Sequence, residues 1–220
     1  MASLLKKFVK IIVGRNGYSF LLNTKLGNKL HDHFHSSSNT SRDFLLQALP
    51  KYSVGAEIGV NDGDFSERIL EIVMPKKLYL IDPWHFESDE FYKITPYGSE
   101  NVNGQNMMDK KYKYVQNKFN TEINKGKVII NRGFSEKILS EFDDEYFDWV
   151  YIDGNHLYDF VKKDLDLCLK KVKNSGFITG DDYYDGGWCD GEVKKAVDEL
   201  IAAGLVKLIC IKNNQFLLQK

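Results

Sequence analysis

The feature that most constrains the fold is a pair of apolar runs separated by a helical segment, between residues 147 and 184. The runs Trp149–Ile152 and Phe177–Thr179 each end in acidic residues, at Asp153 and at Asp181–Asp182. Two strands joined through a helix run parallel in one sheet, so their carboxyl ends meet at the same edge. Open α/β sheets bind ligands at that edge, and we therefore expect the three carboxylates to form a site there.

The rest of the chain repeats this alternation of strands and helices. Strands followed by segments of helical periodicity are expected at 54–60, 78–81 and 127–130, and a hairpin at 205–219. Such alternation is typical of α/β proteins. We expect a Rossmann-like, doubly wound, mostly parallel seven-stranded sheet with helices on both faces. The C-terminal hairpin should add an antiparallel edge strand.

Composition narrows the class of protein. The chain has 220 residues, of which 43% are hydrophobic, so one large domain with a full core is expected. We place this domain at residues 51–220, after an N-terminal helical extension or lid at residues 1–50. The net charge of -1 argues against a nucleic-acid partner because there is no overall basic excess to meet phosphates. Three cysteines without a CxxC spacing are typical of a reducing compartment, so we expect a cytoplasmic protein.

The N-terminal segment allows three interpretations. Residues 2–13 carry apolar side chains at helical spacing, with lysines on the other face. Such a helix packs on its own domain, packs on a second subunit of a homo-oligomer, or makes peripheral contact with a membrane surface. Further on, His31, His33 and His35 alternate in a serine-rich stretch. This stretch favours a loop near the active site over a metal site.

A glycine-containing turn follows the first strand. Gly59 and Gly63 let the backbone approach a ligand closely, and the helix that follows presents free amides. Asn61 stands at the second glycine position of the dinucleotide fingerprint GxGxxG, so a nicotinamide cofactor is not expected. The next strand ends at Asp82, where α/β proteins place an acid that binds ribose hydroxyls. Together the turn and the acid predict a nucleoside ligand.

Five motifs, taken in order, resemble those of a known family. GAEIGVNDGDFS, LIDPW, GFS, IDGNHLY and GFITGDDY are similar to the successive motifs of class I S-adenosylmethionine-dependent methyltransferases, most closely the small O-methyltransferases of sugars and natural products. The resemblance covers roughly residues 52–220. It implies that S-adenosylmethionine is bound through its methionine part, its ribose and its adenine by Glu57, Gly59, Asn61, Gly63, Ser66, Asp82, Trp84, Phe134, Ser135 and Asp153. Within this set, Asp82 would bind the ribose, and Phe134 and Ser135 would flank the adenine.

The resemblance also assigns the acids of the central stretch. Asp153, Asp181 and Asp182 match the metal-ligand positions of the metal-dependent branch, and His156 matches its general base. Oxygen ligands without cysteine suit Mg²⁺ or Mn²⁺, which lowers the pKa of a bound hydroxyl. Histidine is suited to proton transfer at neutral pH. The alternatives are Asp153 as the base, His156 or Asp182 as a cap of a helix or turn, and a reaction without metal.

These expectations lead to an O-methyltransferase that acts on a hydroxyl of a sugar or glycan, or of a phenolic or other natural-product small molecule. Tyr158, Tyr183, Tyr184 and Trp188 suit stacking on such an acceptor, or else ordinary lid packing. A hypothesis of another class is an inactive cofactor-binding or assembly protein on the same fold. Cofactor binding without methyl transfer would favour that hypothesis. An RNA methyltransferase is disfavoured because no basic groove is visible.

Overall fold

The structure is a computed structural model that describes residues 42–88, 92, 97, 104–187 and 189–220. The helix expected at residues 2–13, the alternating histidines and Trp188 lie outside the described residues. The chain divides into two compact units, Met1–Phe44 and Leu45–Lys220, and the second carries all of the described sheet. Within the described ranges, no helix is long and apolar enough to cross a membrane.

One seven-stranded sheet is formed by the described residues. Its strands, in chain order, are β1 (Val54–Ile58), β2 (Lys77–Asp82), β3 (Val128–Arg132), β4 (Phe147–Ile152), β5 (Val172–Gly180), β6 (Lys207–Lys212) and β7 (Gln215–Gln219). The strand order across the sheet is β3-β2-β1-β4-β5-β7-β6. The first five strands of that order run parallel, whereas β7 is antiparallel to both of its neighbours.

The described helices lie on both faces of the sheet, and all except the first connect its strands along the chain. They are α1 (Asp43–Ala48), α2 (Asp64–Ile72), α3 (Gly104–Lys118), α4 (Asn120–Asn124), α5 (Ser135–Ser140), α6 (Tyr158–Lys171) and α7 (Glu192–Ala202). In α6 the buried side chains Val161, Leu165 and Cys168 recur at helical spacing, which places one apolar stripe against the sheet. The predicted doubly wound α/β class is therefore confirmed.

The C-terminal hairpin enters the sheet in an order that the sequence pattern did not predict. Its second strand, β7, lies beside β5, and its first strand, β6, forms the outer edge. The reason is burial: Phe216, Leu217 and Leu218 of β7 are buried, whereas β6 is exposed at most positions. Asn213 and Asn214 both have positive φ, which suits the two-residue turn that joins the strands.

The strand order reverses between β1 and β4, and this reversal creates the crevice where open α/β sheets bind ligands. Most residues of both strands are buried. In β4, Trp149 and Tyr151 cover one face of the strand, and Val150 lies on the other. Gly59, just beyond β1, has φ +86°, and a Cβ there would lie 1.9 Å from the carbonyl oxygen of Asp153. Only glycine allows the ends of β1 and β4 to approach this closely.

Candidate active site

The glycine turn is formed as predicted, and the side chain of Asp82 binds its backbone. The Asp82 side chain is fully buried. Its Oδ2 accepts hydrogen bonds from the backbone N–H groups of Val60 at 2.8 Å and Asn61 at 2.9 Å. Its Oδ1 accepts one from the N–H of Trp84 at 2.7 Å. Burial raises the pKa of Asp82 above its ordinary value, although these hydrogen bonds oppose the shift.

A further donor to Asp82 was missed by the sequence analysis. The hydroxyl of Tyr97 donates to Asp82 Oδ2 at 2.5 Å. Burial, together with the neighbouring carboxylate, raises the pKa of Tyr97 well above its ordinary value, so the phenol stays protonated. The segment around Tyr97 is polar and aromatic without periodicity, so no pattern signalled this contact. The carboxylate expected to bind ribose hydroxyls thus already carries a hydroxyl partner from the protein.

Three of the predicted cofactor-binding residues near the glycine turn, Glu57, Ser66 and Trp84, have buried side chains with partners inside the protein. Ser66 donates from its Oγ to Glu57 Oε2, and both side chains are buried. Trp84 is also fully buried, and its indole N–H donates to the backbone oxygen of Asn61 at 2.9 Å. These three side chains therefore support the turn from within the core. The structure leaves their direct contact with a cofactor as a prediction.

Asn61 lies within the turn and has φ +53°. Its side chain contacts a lysine that the sequence analysis did not select. Lys111 of α3 donates from Nζ to Asn61 Oδ1 at 2.5 Å and lies 3.7 Å from the carboxylate of Asp62. Gly63, with φ +74°, precedes the first residue of α2. The methionine end of the predicted site therefore combines the N-terminus of α2 with a nearby ammonium group.

The predicted adenine end lies after β3. Phe134 is 52% exposed, and its ring centroid lies 5.9 Å from that of His85, which follows β2. An exposed aromatic pair of this kind can stack on a flat base. Ser135 begins α5 and interacts with the buried carboxylate of Asp164 on α6. Burial raises the pKa of Asp164 to about 7, even though the Ser135 hydrogen bond lowers it.

In the second half of the crevice, the ends of β4 and β5 bring two acids and a histidine together. Nε2 of His156 lies 2.8 Å from Asp182 Oδ2 and 3.4 Å from Asp153 Oδ1. All three side chains are partly buried, with 13% exposure for His156, 23% for Asp153 and 21% for Asp182. We call these three residues the acid–histidine cluster. Two of the three predicted metal ligands and the predicted base are members of it.

The acid–histidine cluster holds its histidine in the charged form. Burial alone would lower the pKa of His156, but hydrogen bonds to and charges on Asp153 and Asp182 outweigh burial and raise this pKa to about 10. The imidazole is therefore protonated at neutral pH in this arrangement. It becomes a base only when the negative charge of the two carboxylates is neutralised.

Asp181, the remaining predicted metal ligand, lies beside the acid–histidine cluster in a different environment. It is 8% exposed, and its Oδ1 accepts hydrogen bonds from the backbone N–H of Asp182, at 2.8 Å, and from the side-chain amide of Gln215. The structure thus places His156, rather than Asp181, in one set with Asp153 and Asp182. Sequence spacing alone could not separate the two adjacent aspartates.

The cap interpretation of His156 is not supported. The backbone N–H of Leu157 donates to Asn155 Oδ1 at 2.9 Å, and the N–H of Tyr158 donates to Glu192 Oε2 at 2.6 Å. Both amides at the beginning of α6 therefore have acceptors other than His156. The Asn155 amide also donates to the hydroxyl of Tyr92 at 2.5 Å. That contact brings a tyrosine from the β2–α3 connection to the end of β4.

The aromatic residues near the acids face partly toward α7. The hydroxyl of Tyr158 donates to Glu199 at 2.6 Å, and that of Tyr183 donates to Asp198 at 2.5 Å. These two contacts favour the packing interpretation for Tyr158 and Tyr183. Tyr184 lies closer to the acids, whose charges, after burial, help raise its pKa to about 12. Its place in an acceptor pocket stays a prediction.

A protein of similar sequence and several solved structures of similar fold are known. The uncharacterized protein R132 of Acanthamoeba polyphaga mimivirus is 27% identical over 184 residues, which is 83% of this chain and 73% of the viral protein. CalS11, a TDP-rhamnose 3'-O-methyltransferase of calicheamicin biosynthesis, has a similar fold at 14% identity. Its TM-score is 0.57 over 91% of this chain and 90% of CalS11. SMU.1697c of Streptococcus mutans, solved in complex with SAH, matches at 16% identity with a TM-score of 0.51, over 82% of this chain and 94% of SMU.1697c.

A family model described as a methyltransferase domain matches residues 56–183, from the first strand to the residues after β5. This range contains the glycine turn, Asp82 and the whole acid–histidine cluster. The structural likenesses agree with it in fold. The match spans more than half of the chain, and the chain therefore belongs to this methyltransferase-domain family and is a class I S-adenosylmethionine-dependent methyltransferase.

Proposed function

We propose that the protein methylates a hydroxyl group of a sugar or glycan acceptor at the acid–histidine cluster. The observation that carries this proposal is the convergence of Asp153, His156 and Asp182 at the ends of β4 and β5. An aliphatic hydroxyl is a poor nucleophile until its proton is removed, and this convergence supplies groups that can promote that removal. An inactive protein on the same fold has no need of such a cluster.

The cofactor would lie across the crevice between β1 and β4. S-adenosylmethionine supplies the electrophilic methyl group when it is bound. Among the chain's own residues, the turn at Gly59 and Asn61 would bind its methionine part, Asp82 its ribose and Phe134 its adenine. At Asp82 the ribose would replace the hydroxyl of Tyr97, because this carboxylate already accepts four hydrogen bonds.

The donor set of the acid–histidine cluster fits a divalent cation. Asp153, His156 and Asp182 each offer one ligand atom, and these atoms lie within 4.8 Å of one another. Carboxylates brought this close repel unless positive charge lies between them. Oxygen-rich sites without thiolate suit Mg²⁺ or Mn²⁺. Asp153 and Asp182 would hold the cation, with Asp181 as the third ligand that the family resemblance implies.

Such a cation would lower the pKa of the acceptor hydroxyl and orient it. His156 is the proposed base, because neutralising the charge on Asp153 and Asp182 removes what keeps its imidazole protonated. Asp153 is the alternative base. Tyr92, whose hydroxyl accepts a hydrogen bond from Asn155 at the end of β4, would help to exclude water from the transfer.

The sugar class of the acceptor is supported by the fold likeness to CalS11, which is described as a TDP-rhamnose 3'-O-methyltransferase. Tyr184, near the acids, suits contact with a sugar ring or with a phenol. A phenolic or other natural-product acceptor is the second candidate, because the same acids would also activate a phenol hydroxyl.

The test is methyl transfer by the purified protein from S-adenosylmethionine to a panel of nucleotide-activated sugars and phenols, read by mass spectrometry. Each acceptor is incubated with Mg²⁺ or with EDTA. We expect one acceptor class to gain a methyl group only with Mg²⁺. Full turnover in EDTA would reject the metal. Cofactor binding without transfer to any acceptor would instead favour the inactive protein.

A further inference from the structure

A buried chain of hydrogen bonds connects the C-terminal hairpin to the acids at the end of β5. Its members are Tyr151 of β4, Gln215 of β7 and Asp181, whose exposed fractions are 0%, 1% and 8%. The family model ends at residue 183, so Gln215 lies beyond the part of the chain it matches. Neither the glycine turn nor the acid–histidine cluster contains Gln215.

The side chain of Gln215 has a partner at each end. The hydroxyl of Tyr151 donates to its Oε1 at 2.9 Å, and its Nε2 donates to Asp181 Oδ1. Since a hydroxyl donor lies on one side and a carboxylate acceptor on the other, the amide has one favourable orientation. A glutamine that is 1% exposed, in a strand whose next three residues are buried and apolar, would be costly without these partners.

The bond from Gln215 acts on Asp182 through Asp181. Asp181 Oδ1 also accepts the backbone N–H of Asp182, at 2.8 Å. Asp182 has φ +60°, a conformation that is uncommon for residues other than glycine and needs support from its surroundings. In this conformation its carboxylate lies 2.8 Å from His156 Nε2. The next residue is also held by the hairpin, because the N–H of Tyr183 donates to the Asn214 oxygen at 2.8 Å.

We propose that Gln215 is a positioning residue of the active site. It holds the carboxylate of Asp181, which in turn holds the backbone of Asp182 so that the Asp182 carboxylate faces Asp153 and His156. The inference rests on the proposed role of these acids in binding a divalent cation. It assigns the C-terminal hairpin a task in the site, in addition to completing the sheet.

The test compares Gln215→Leu with Gln219→Leu. Gln219 is the other glutamine of β7, and its amide donates to the backbone oxygen of Ser175 at 3.2 Å on the exposed side. For each folded protein, binding of Mn²⁺ and of SAH is measured separately by calorimetry. Gln215→Leu removes the donor to Asp181 with little change of volume. We expect it to weaken Mn²⁺ binding by about tenfold or more, because residues that orient metal ligands typically have effects of this size. SAH binding should stay within about twofold of wild type, since Gln215 is not among the residues of the glycine turn.

Tyr151→Phe is the second variant, because it keeps the ring that packs on Phe65, at 4.4 Å between centroids, and removes only the hydroxyl. We expect a smaller loss of Mn²⁺ affinity, about two- to fivefold. Tyr151→Phe also tests the role of the hydrogen-bond chain if Gln215→Leu does not fold.

The outcomes separate the two proposals. Wild-type Mn²⁺ binding that both Gln215→Leu and Tyr151→Phe retain would overturn the role of Gln215 and leave the metal site intact. Equal losses of Mn²⁺ and SAH binding in the two variants would assign Gln215 to general stability, and this also overturns the proposal. Absence of Mn²⁺ binding by the wild-type protein would reject the metal, and the positioning role with it.

Discussion

Asp82 and Asp153 lie at the ends of strands on either side of β1, and their surroundings differ. Asp82 is fully buried and accepts four hydrogen bonds, three of them from backbone amides of the protein. Asp153 is partly exposed and faces a histidine and a second carboxylate. The first acid has its charge satisfied by hydrogen-bond donors at fixed positions, whereas the second lies beside the charged imidazole of His156. A carboxylate of the first kind maintains a shape, and one of the second kind is available to an added cation.

The largest expected effect comes from removing the satisfied carboxylate. Asp82→Ala leaves the buried amides of Val60, Asn61 and Trp84 without an acceptor, at a cost of about 1 to 3 kcal/mol for each such group before relaxation. We expect folding stability to fall by about 3 kcal/mol and SAH binding to weaken by about 100-fold, measured by urea unfolding and calorimetry.

Asp82→Asn is the matched control, because its amide oxygen can still accept some of these hydrogen bonds. It should lie between wild type and Asp82→Ala in both measurements. Unchanged SAH affinity in Asp82→Ala would contradict the predicted role of Asp82 in the cofactor site.

The second effect tests the acid–histidine cluster. Asp182→Asn removes one negative charge beside His156 and should weaken Mn²⁺ binding by about 30-fold, because a direct oxygen ligand loses its charge. SAH binding and folding stability should change little. The control is Asp185→Asn, an acid whose side chain is 90% exposed and lies 3.4 Å from Lys194. Mn²⁺ affinity that is equal in both variants would remove Asp182 from the metal site.

The third prediction concerns a buried acid with fewer partners than Asp82. The folded-state pKa of Asp164 is about 7, above its ordinary value of 3.8. As pH rises through this window, the unfolded chain ionises first, so the contribution of Asp164 to folding stability falls until about pH 7 and then levels off. Asp164→Asn should therefore gain stability relative to wild type between pH 4 and 7, reaching on the order of 1 to 3 kcal/mol.

Thermal and urea unfolding at several pH values measure this difference. Asp166→Asn on the same helix is the control, because Asp166 is half exposed and pairs with Lys162 at 2.5 Å. It should show no gain in stability across this range. A pH-independent difference between Asp164→Asn and wild type would contradict the raised pKa.

The smallest expected effect is on the affinity for SAH, when the Tyr97 hydroxyl is removed from Asp82. In Tyr97→Phe the carboxylate loses one of its four donors, so a ribose hydroxyl no longer has to displace the phenol. We expect SAH to bind about three- to tenfold more tightly, as the loss of one hydrogen bond in the free protein implies. Tyr112→Phe is the control, since this ring packs on Trp84 at 5.1 Å without lying on Asp82. Weaker SAH binding by Tyr97→Phe would mean that the phenol contacts the bound cofactor.

Several features of the site could be predicted from local pattern. The apolar runs that end at Asp82, Asp153 and Asp181 predicted three strand ends at one edge of the sheet, because parallel strands align their carboxyl ends. Gly59 and Gly63 predicted the turn, and both have the positive φ that glycine permits. Other contacts had no local signal. Tyr97 reaches Asp82 from a segment without periodicity. Lys111 meets Asn61 from the same face of α3 as the buried Met108 and Val115, where the helical pattern predicts apolar side chains.

The sequence by itself determined the order of strands and helices, the glycine turn and the family, because hydrophobic periodicity and turn residues act over a few neighbouring positions. Only the tertiary structure decided the different surroundings of Asp181 and Asp182. Adjacent residues on a strand end point in different directions. Asp181 therefore meets Gln215 of the hairpin, and Asp182 meets His156 at the end of β4. Both partners are distant in sequence, and only the packing of β5 between β4 and β7 brings them to these two acids.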